Sequence, residues 1–179
     1  MTHRQHGTLA GLLLLVVLGL SGCATPATTE GMTPNLATTA TPRNWSVAVD
    51  VTGGCTECAP GVSFISDQAF SDAVVGALCK SGLFARGVNG PSSDYRLSVR
   101  IIRAQSALIG LDMTSSMEAA WTLSRTGTSA PVWRRAIEST HTSTFSDAAV
   151  GAVRVRLTWE GAARRNIEQA VEMLSGLTL

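Results

Sequence analysis

From Met113 to Leu123 the chain alternates without a break. Met113, Ser115, Met117, Ala119, Trp121 and Leu123 are apolar or small, and Thr114, Ser116, Glu118, Ala120 and Thr122 stand between them. A period of two kept over this run fits a strand with one buried face. Such a strand needs paired edges and a cover over its apolar side, which confines the chain to a sheet packed on one face. Two more runs repeat the pattern. Trp45, Val47, Val49 and Val51 alternate with Ser46, Ala48, Asp50 and Thr52 before Gly53-Gly54, and Tyr95, Leu97, Val99 and Ile101 alternate with Arg96, Ser98, Arg100 and Ile102. After a turn at Gly127, Val132 to Thr142 reads as a weaker fourth strand with Trp133 and Ile137.

The cover comes from two helices. Ser66-Asp67 offers a cap, Phe70, Val74, Ala77 and Leu78 follow at helical spacing, and Gly82 supplies a stop. Ala163, Ile167, Ala170, Val171 and Leu174 form a second stripe, with Glu160–Arg164 and Arg164–Glu168 as i, i+4 charge pairs. Between these, Val153 to Trp159 fits a strand and a helix equally well: Val150, Val153 and Leu157 also make a helical stripe. The expected fold is therefore α+β, a largely antiparallel four-stranded sheet with two helices on one face, in the order β-α-β-β-β-α.

The N-terminus has another character. One arginine, Arg4, precedes an apolar stretch from Leu9 to Leu20. A stretch of about a dozen residues is too short to cross a bilayer as a helix and suits a signal peptide. It ends in Leu20-Ser21-Gly22-Cys23, which resembles the bacterial lipobox. That resemblance implies cleavage before Cys23 and acylation of its sulfur and new amine. Several acyl chains would make a stable anchor. Ala24 stands where retention at the inner membrane would call for Asp, so by resemblance to lipoprotein sorting the expected address is the periplasmic face of the outer membrane. Residues 24–43 are rich in Thr, Ala and Pro without apolar periodicity, and read as a disordered tether reaching about 25 Å. The expected organisation is a signal peptide over 1–22, lipidated Cys23 and tether over 23–43, and one periplasmic domain over 44–179.

Charge excludes one class of partner. The formal charge of the 179 residues is +1, and removing Arg4 brings it to zero, so no field calls for nucleic acid. Lys80 is the only lysine.

Three short stretches, Gly110-Leu111-Asp112-Met113-Thr114, Phe145-Ser146-Asp147-Ala148 and Glu160 to Ile167 (EGAARRNI), resemble a group of small proteobacterial lipoproteins of unknown function. The similarity spans Trp45 to Leu177 and implies one long helix after the Phe-Ser-Asp step, closing near Leu174-Ser175-Gly176-Leu177. More loosely, the element order resembles the auxiliary lipoproteins of envelope ABC transporters and the lipoprotein of lipopolysaccharide export. A shared fold does not carry their function.

Candidate chemistry is sparse. Cys55-Thr56-Glu57-Cys58 is a C-x-x-C motif. In an oxidising compartment a structural disulfide is the plainest reading, and Ala59-Pro60-Gly61 argues against the helix start that a redox motif needs. A zinc site drawing on Cys55, Cys58, Cys79 and His141 matches no standard spacing. With Cys23 acylated, three cysteines remain, so Cys79 is either odd or paired with a loop cysteine. His141 has Ser139, Ser143 and Asp147 nearby in sequence, but no nucleophile elbow, Walker loop or dinucleotide fingerprint accompanies it. Asp112 reads as a turn residue, and Glu160 with Arg164-Arg165-Asn166 as a solvated helix face or a buried ion pair. Arg96, Arg100, Arg134 and Arg135 beside Trp133 make a basic outer sheet face, solvated or binding phosphate groups. Ala107 to Leu111 is a short apolar loop, either core or an exposed patch. No catalytic residue, metal or cofactor is assigned. The expected function is a non-catalytic envelope lipoprotein, held at the membrane by its lipid, that binds an envelope protein partner or assists assembly or transport. The alternatives are a lipid or small-ligand module of a transport system, and third, an enzyme using His141 or the Cys55/Cys58 pair.

Overall fold

The computed structural model describes residues 25–37, 42–55, 64–84, 92–107, 110–128 and 130–179. In chain order the elements are α1 (Thr29–Met32), β1 (Val47–Thr52), α2 (Asp67–Ser81), β2 (Tyr95–Ala107), β3 (Met113–Arg125), β4 (Pro131–Ser143) and α3 (Gly151–Ser175). The strands form one sheet in the order β1-β2-β3-β4. The expected β-α-β-β-β-α frame is present, with one change of detail. β1 runs parallel to β2, while β2–β3 and β3–β4 are antiparallel, so the sheet is mixed. Parallel neighbours need a crossover, and α2 is that crossover.

Local chemistry sets the elements. Ser66 caps α2 by accepting from the Ala69 N–H at 3.2 Å, and Gly82 ends it with φ 65. The stripe Phe70, Ala73, Val74, Ala77 and Leu78 is buried. On β3, Met113, Ser115, Met117, Ala119, Trp121 and Leu123 all face the helices and are buried. The ambiguous run from Val153 to Trp159 is helix, inside a single α3 of 25 residues. Buried Val155, Trp159, Ala163 and Ile167 share one stripe of it, so the helical period continues through the segment. β2 extends beyond the expected Ile102 to Ala107, pairing with β3 on both sides of a bulge between Ile101 and Arg103. The extra residue, Ile102, is 53% exposed.

A buried polar clasp ties α3 to the sheet. Trp121 Nε1 donates to Asn166 Oδ1 at 2.9 Å, and Asn166 Nδ2 donates to the Ile137 carbonyl at 2.8 Å and Ser139 Oγ at 3.2 Å. Ser139 Oγ in turn donates to the Ala162 carbonyl at 2.9 Å. Each polar group buried here is matched, as burial without water requires.

The tether expected over 23–43 is corrected by its described part. Met32 is fully buried and Ala27 is 5% exposed, with α1 packed against both α2 and α3. Ala27 N–H donates to the Phe64 carbonyl at 2.9 Å. Farther on, Arg43 donates to the Leu174, Ser175 and Leu177 carbonyls, covering acceptors that the end of α3 leaves open. A segment with one well-placed Met and two hydrogen-bonding Thr residues docks where composition alone predicts coil.

Candidate functional site

The signal peptide and the candidate lipid site Cys23 lie outside the described residues. Just downstream, the chain forms a latch on α3. Thr28 N–H and Oγ1 both donate to Glu160 Oε1, at 2.9 and 2.7 Å. Thr28 Oγ1 also accepts from the Gly31 N–H at 3.1 Å, capping α1. Arg164 Nη1 donates to the Gly31 carbonyl at 2.9 Å. Glu160 is only 5% exposed, and Arg156 Nε stands 3.7 Å from its Oε1, an ion pair beyond hydrogen-bond distance. A Cβ on Gly31 would stand 2.1 Å from the Glu160 carboxyl carbon, so only glycine lets the carboxylate in. Arg164, the i, i+4 partner expected for Glu160, is thus turned to Gly31, and Glu160 takes Arg156 one turn earlier and Thr28 far away in sequence. Neither Glu160 nor Arg164 is a solvated helix face.

The open face of the sheet carries the candidate basic patch. Arg100, Ile101, Ile102, Ala120 and Arg134 line a shallow depression of about 370 Å³. Arg100 pairs in register with Ala120, and Ala120 with Ala136, so small side chains keep this part of the sheet open. Arg96 lies on the same face and is exposed. Arg135 does not join them: it pairs in register with buried Trp121, on the helix side, because successive strand residues point to opposite faces. Beyond the bulge, Arg103 stands 3.2 Å from Glu118 and 3.9 Å from Glu138, so a charged row crosses the other half of the face.

His141 is not the centre of a triad. Ser139 is committed to the Ala162 carbonyl, and Asp147 accepts from Thr144 N–H at 2.7 Å and Thr144 Oγ1 at 2.9 Å to close a turn. The imidazole instead packs on α3 at Gly161, where a Cβ would stand 2.1 Å from its Cδ2. Burial lowers the His141 pKa below its ordinary 6.5, as do the Arg164 and Arg165 charges, with Asp147 opposing them. Hydrogen bonds from the Thr144 backbone and then its hydroxyl lower Asp147. Cys55 is disulfide-bonded; Cys58 lies outside the described residues. Cys79, a candidate for pairing, is a free and exposed thiol, because it falls off the stripe that buries Ala77 and Leu78. No group of three or more metal-ligating side chains occurs among the described residues.

Two of the three family-like stretches meet at one end of the sheet. Met113 pairs with Ser143, so Leu111 and Phe145, each two residues beyond, project from the same rim. They are 69% and 54% exposed, and Val150, at the start of α3, is 59% exposed. Arg154 lies 5.4 Å over the Phe145 ring and donates to the Ala148 and Ala149 carbonyls at 2.6 and 3.0 Å, holding the loop in place. Asp112 is exposed on this rim, and Leu108 and Ile109 of the apolar loop lie outside the described residues. Residues that sequence reading missed are Thr28, Gly31 and Met32. Their partners are on α3, and no local pattern announces them.

Similar folds occur in solved bacterial proteins. A Xanthomonas campestris protein of the DUF330 family has a TM-score of 0.54 at 21% identity, covering 87% of this chain and 95% of that one. The uncharacterized lipoprotein B of Nitrosomonas europaea has a TM-score of 0.51 at 12% identity, covering 78% and 88%. A hypothetical protein of Chlamydia trachomatis has a TM-score of 0.50 at 10% identity, covering 75% and 97%. At these identities the likeness is one of fold. No protein-family model and no curated protein matches the chain.

Proposed function

We propose that this chain is a lipoprotein of the bacterial envelope, anchored through Cys23 at the periplasmic face of the outer membrane, whose domain binds a partner protein in assembly or transport and catalyses nothing itself. The observation that carries this reading is the spacing at the N-terminus. The lipobox-like Leu20-Ser21-Gly22-Cys23 step is followed, only four residues on, by Ala27 already bonded to the domain. An acceptor cysteine so placed ties a folded domain to a bilayer. The fold shared with a lipoprotein of another bacterium supports the same reading. Labelling cells with a fatty-acid analogue tests it: label should enter the wild type and be absent from Cys23→Ser. Equal label in both overturns the anchor. Affinity purification of the acylated protein should recover one defined envelope protein, lost with Arg100→Glu/Arg134→Glu on the open face.

A second reading rests on the depression between Arg100 and Arg134. Two guanidinium groups beside small residues suit an anionic head group or a small phosphate-bearing ligand. Binding of such a lipid to purified protein, abolished by Arg100→Ala/Arg134→Ala, would favour this reading over a protein partner.

A further inference from the structure

The latch has a direction. Thr28 sits at Glu160 and Gly31 at Arg164, and Leu36 and Ala37 lie beside Glu168, Val171, Glu172 and Ser175. The chain from 28 to 37 therefore runs along α3 toward its C-terminal end. Traced backward, it heads for the N-terminal end of α3, the end where Val150, Phe145 and Leu111 are exposed. The last fixed point on that path is Ala27, bonded to Phe64, whose ring lies 6.3 Å from that of Trp159. Cys23 is four residues earlier, a reach of at most about 14 Å for an extended chain. Val150 lies nine residues before Trp159 on the same helix axis, also about 14 Å away at the helical rise. The opposite end of α3, at Ser175, is about 24 Å from Trp159 and lies the other way. Cys23 can thus stand at the level of the apolar rim, and cannot stand at the far end of the domain.

We infer that the rim formed by Leu111, Phe145 and Val150 rests directly on the phospholipid surface in which Cys23 is anchored, so that α3 points its N-terminal end at the bilayer and its C-terminal end into the periplasm. This orientation rests on the proposed anchoring through Cys23. The rim's chemistry fits a lipid surface. Three large apolar side chains on two adjacent loops stand clear of the domain, and the Phe145 ring is held by Arg154 and does not fold back into the core. Small sets of exposed apolar residues of this kind enter the boundary between head groups and acyl chains. Asp112 and Asp147 are both exposed beside them. Two carboxylates and no exposed lysine at the rim mean that contact does not depend on anionic lipid and does not weaken as salt rises.

The test uses the full-length acylated protein in vesicles of phosphatidylcholine. In a Cys79→Ser background, Leu111→Cys or Met173→Cys carries a polarity-sensitive fluorophore. Met173 is exposed near the far end of α3, about 33 Å along the axis from Gly151. Intact mass reports acylation of Cys23 in the same samples. The expected result is a blue shift and loss of aqueous quenching at position 111, with neither at position 173 and no change in high salt. Acylated protein whose probe at 111 behaves like the one at 173 overturns the orientation and leaves the anchor standing. Protein without acyl mass on Cys23 overturns the anchor and the orientation with it. Val150→Ser should reduce the shift at 111 with its melting temperature unchanged, since Val150 makes none of the core. An undiminished shift would remove it from the contact.

Discussion

Replacing Glu160 with alanine should release the N-terminal latch, and the structure sets the size of the effect. The carboxylate accepts two hydrogen bonds from Thr28, at 2.9 and 2.7 Å, in a site where Glu160 is 5% exposed. A hydrogen bond to a charged group contributes about 1.5 kcal/mol at the low end of its range, so losing both costs about 3 kcal/mol. Arg156, 3.7 Å away, loses its ion-pair partner as well, which adds to the cost. Glu160→Gln keeps an acceptor oxygen and fills the space against Gly31, and should lose about half as much. Urea unfolding measures each change by linear extrapolation. Hydrogen exchange at the Thr28 and Gly31 amides shows whether the latch opens. A cycle with Thr28→Val isolates the hydroxyl bond, since valine keeps the backbone N–H, with an expected coupling of about 1 kcal/mol. If Glu160→Ala changes stability by less than about 0.5 kcal/mol, Glu160 does not hold the segment; if the two substitutions simply add, the Thr28 hydroxyl has no part in it.

Three further outcomes follow from the same geometry. Ile167→Asp places a carboxylate where the side chain is fully buried, at a cost of several kcal/mol, so the domain should not give a cooperative melt; a melt within a degree or so of wild type would show that the α3–sheet face is open. His141 has a folded pKa below 6.5, so its protonation favours the unfolded chain: stability should be level above pH 6.5 and fall as pH drops below it. His141→Gln should remove the slope that sets in below pH 6.5, leaving the loss below 3.8 to which Asp147 contributes, and equal slopes in both proteins would refute the assignment. Cys55→Ser/Cys58→Ser should remain folded, with a loss of at most about 2 kcal/mol if the two cysteines close their own short loop; complete unfolding of the double variant, or one zinc per chain in wild type, would contradict that pairing.

Most of the frame was legible because it is written in local periods. The alternation of β3, the Ser66 cap, the Gly82 stop and the stripe from Ala163 to Leu174 each state their element within a few residues. The parallel pairing of β1 with β2 was not legible, since alternation tells which residues face inward and says nothing of which neighbour a strand takes. Ile102 reads as an outward residue and is one, but the bulge at it leaves no mark in the alternation, so the continuation of β2 to Ala107 was not legible. Residues 25–37 failed for a third reason. Their low complexity predicts disorder, and the groups that overrule it, Glu160 and Arg164, belong to the other end of the chain. The same distance hid the candidate site: Leu111, Phe145 and Val150 look ordinary one by one, and become a surface only when Met113 pairs with Ser143.

The latch also imposes an order of events on the chain. Thr28 and Glu160 are separated by 132 residues, and Arg43 and Leu177 by 134. A ribosome makes the first of each pair long before the second, so the earliest part of the domain to exist is the last to find its place. Contacts of such span are slow to form and raise the mean sequence separation on which folding rate depends. The groove that receives Met32 therefore does not exist until α3 is made, and Met32 waits without its cover in any partly made chain. Loss of the final turns of α3 would strip Arg43 of its three acceptors and loosen the beginning of the domain, although no residue there had changed.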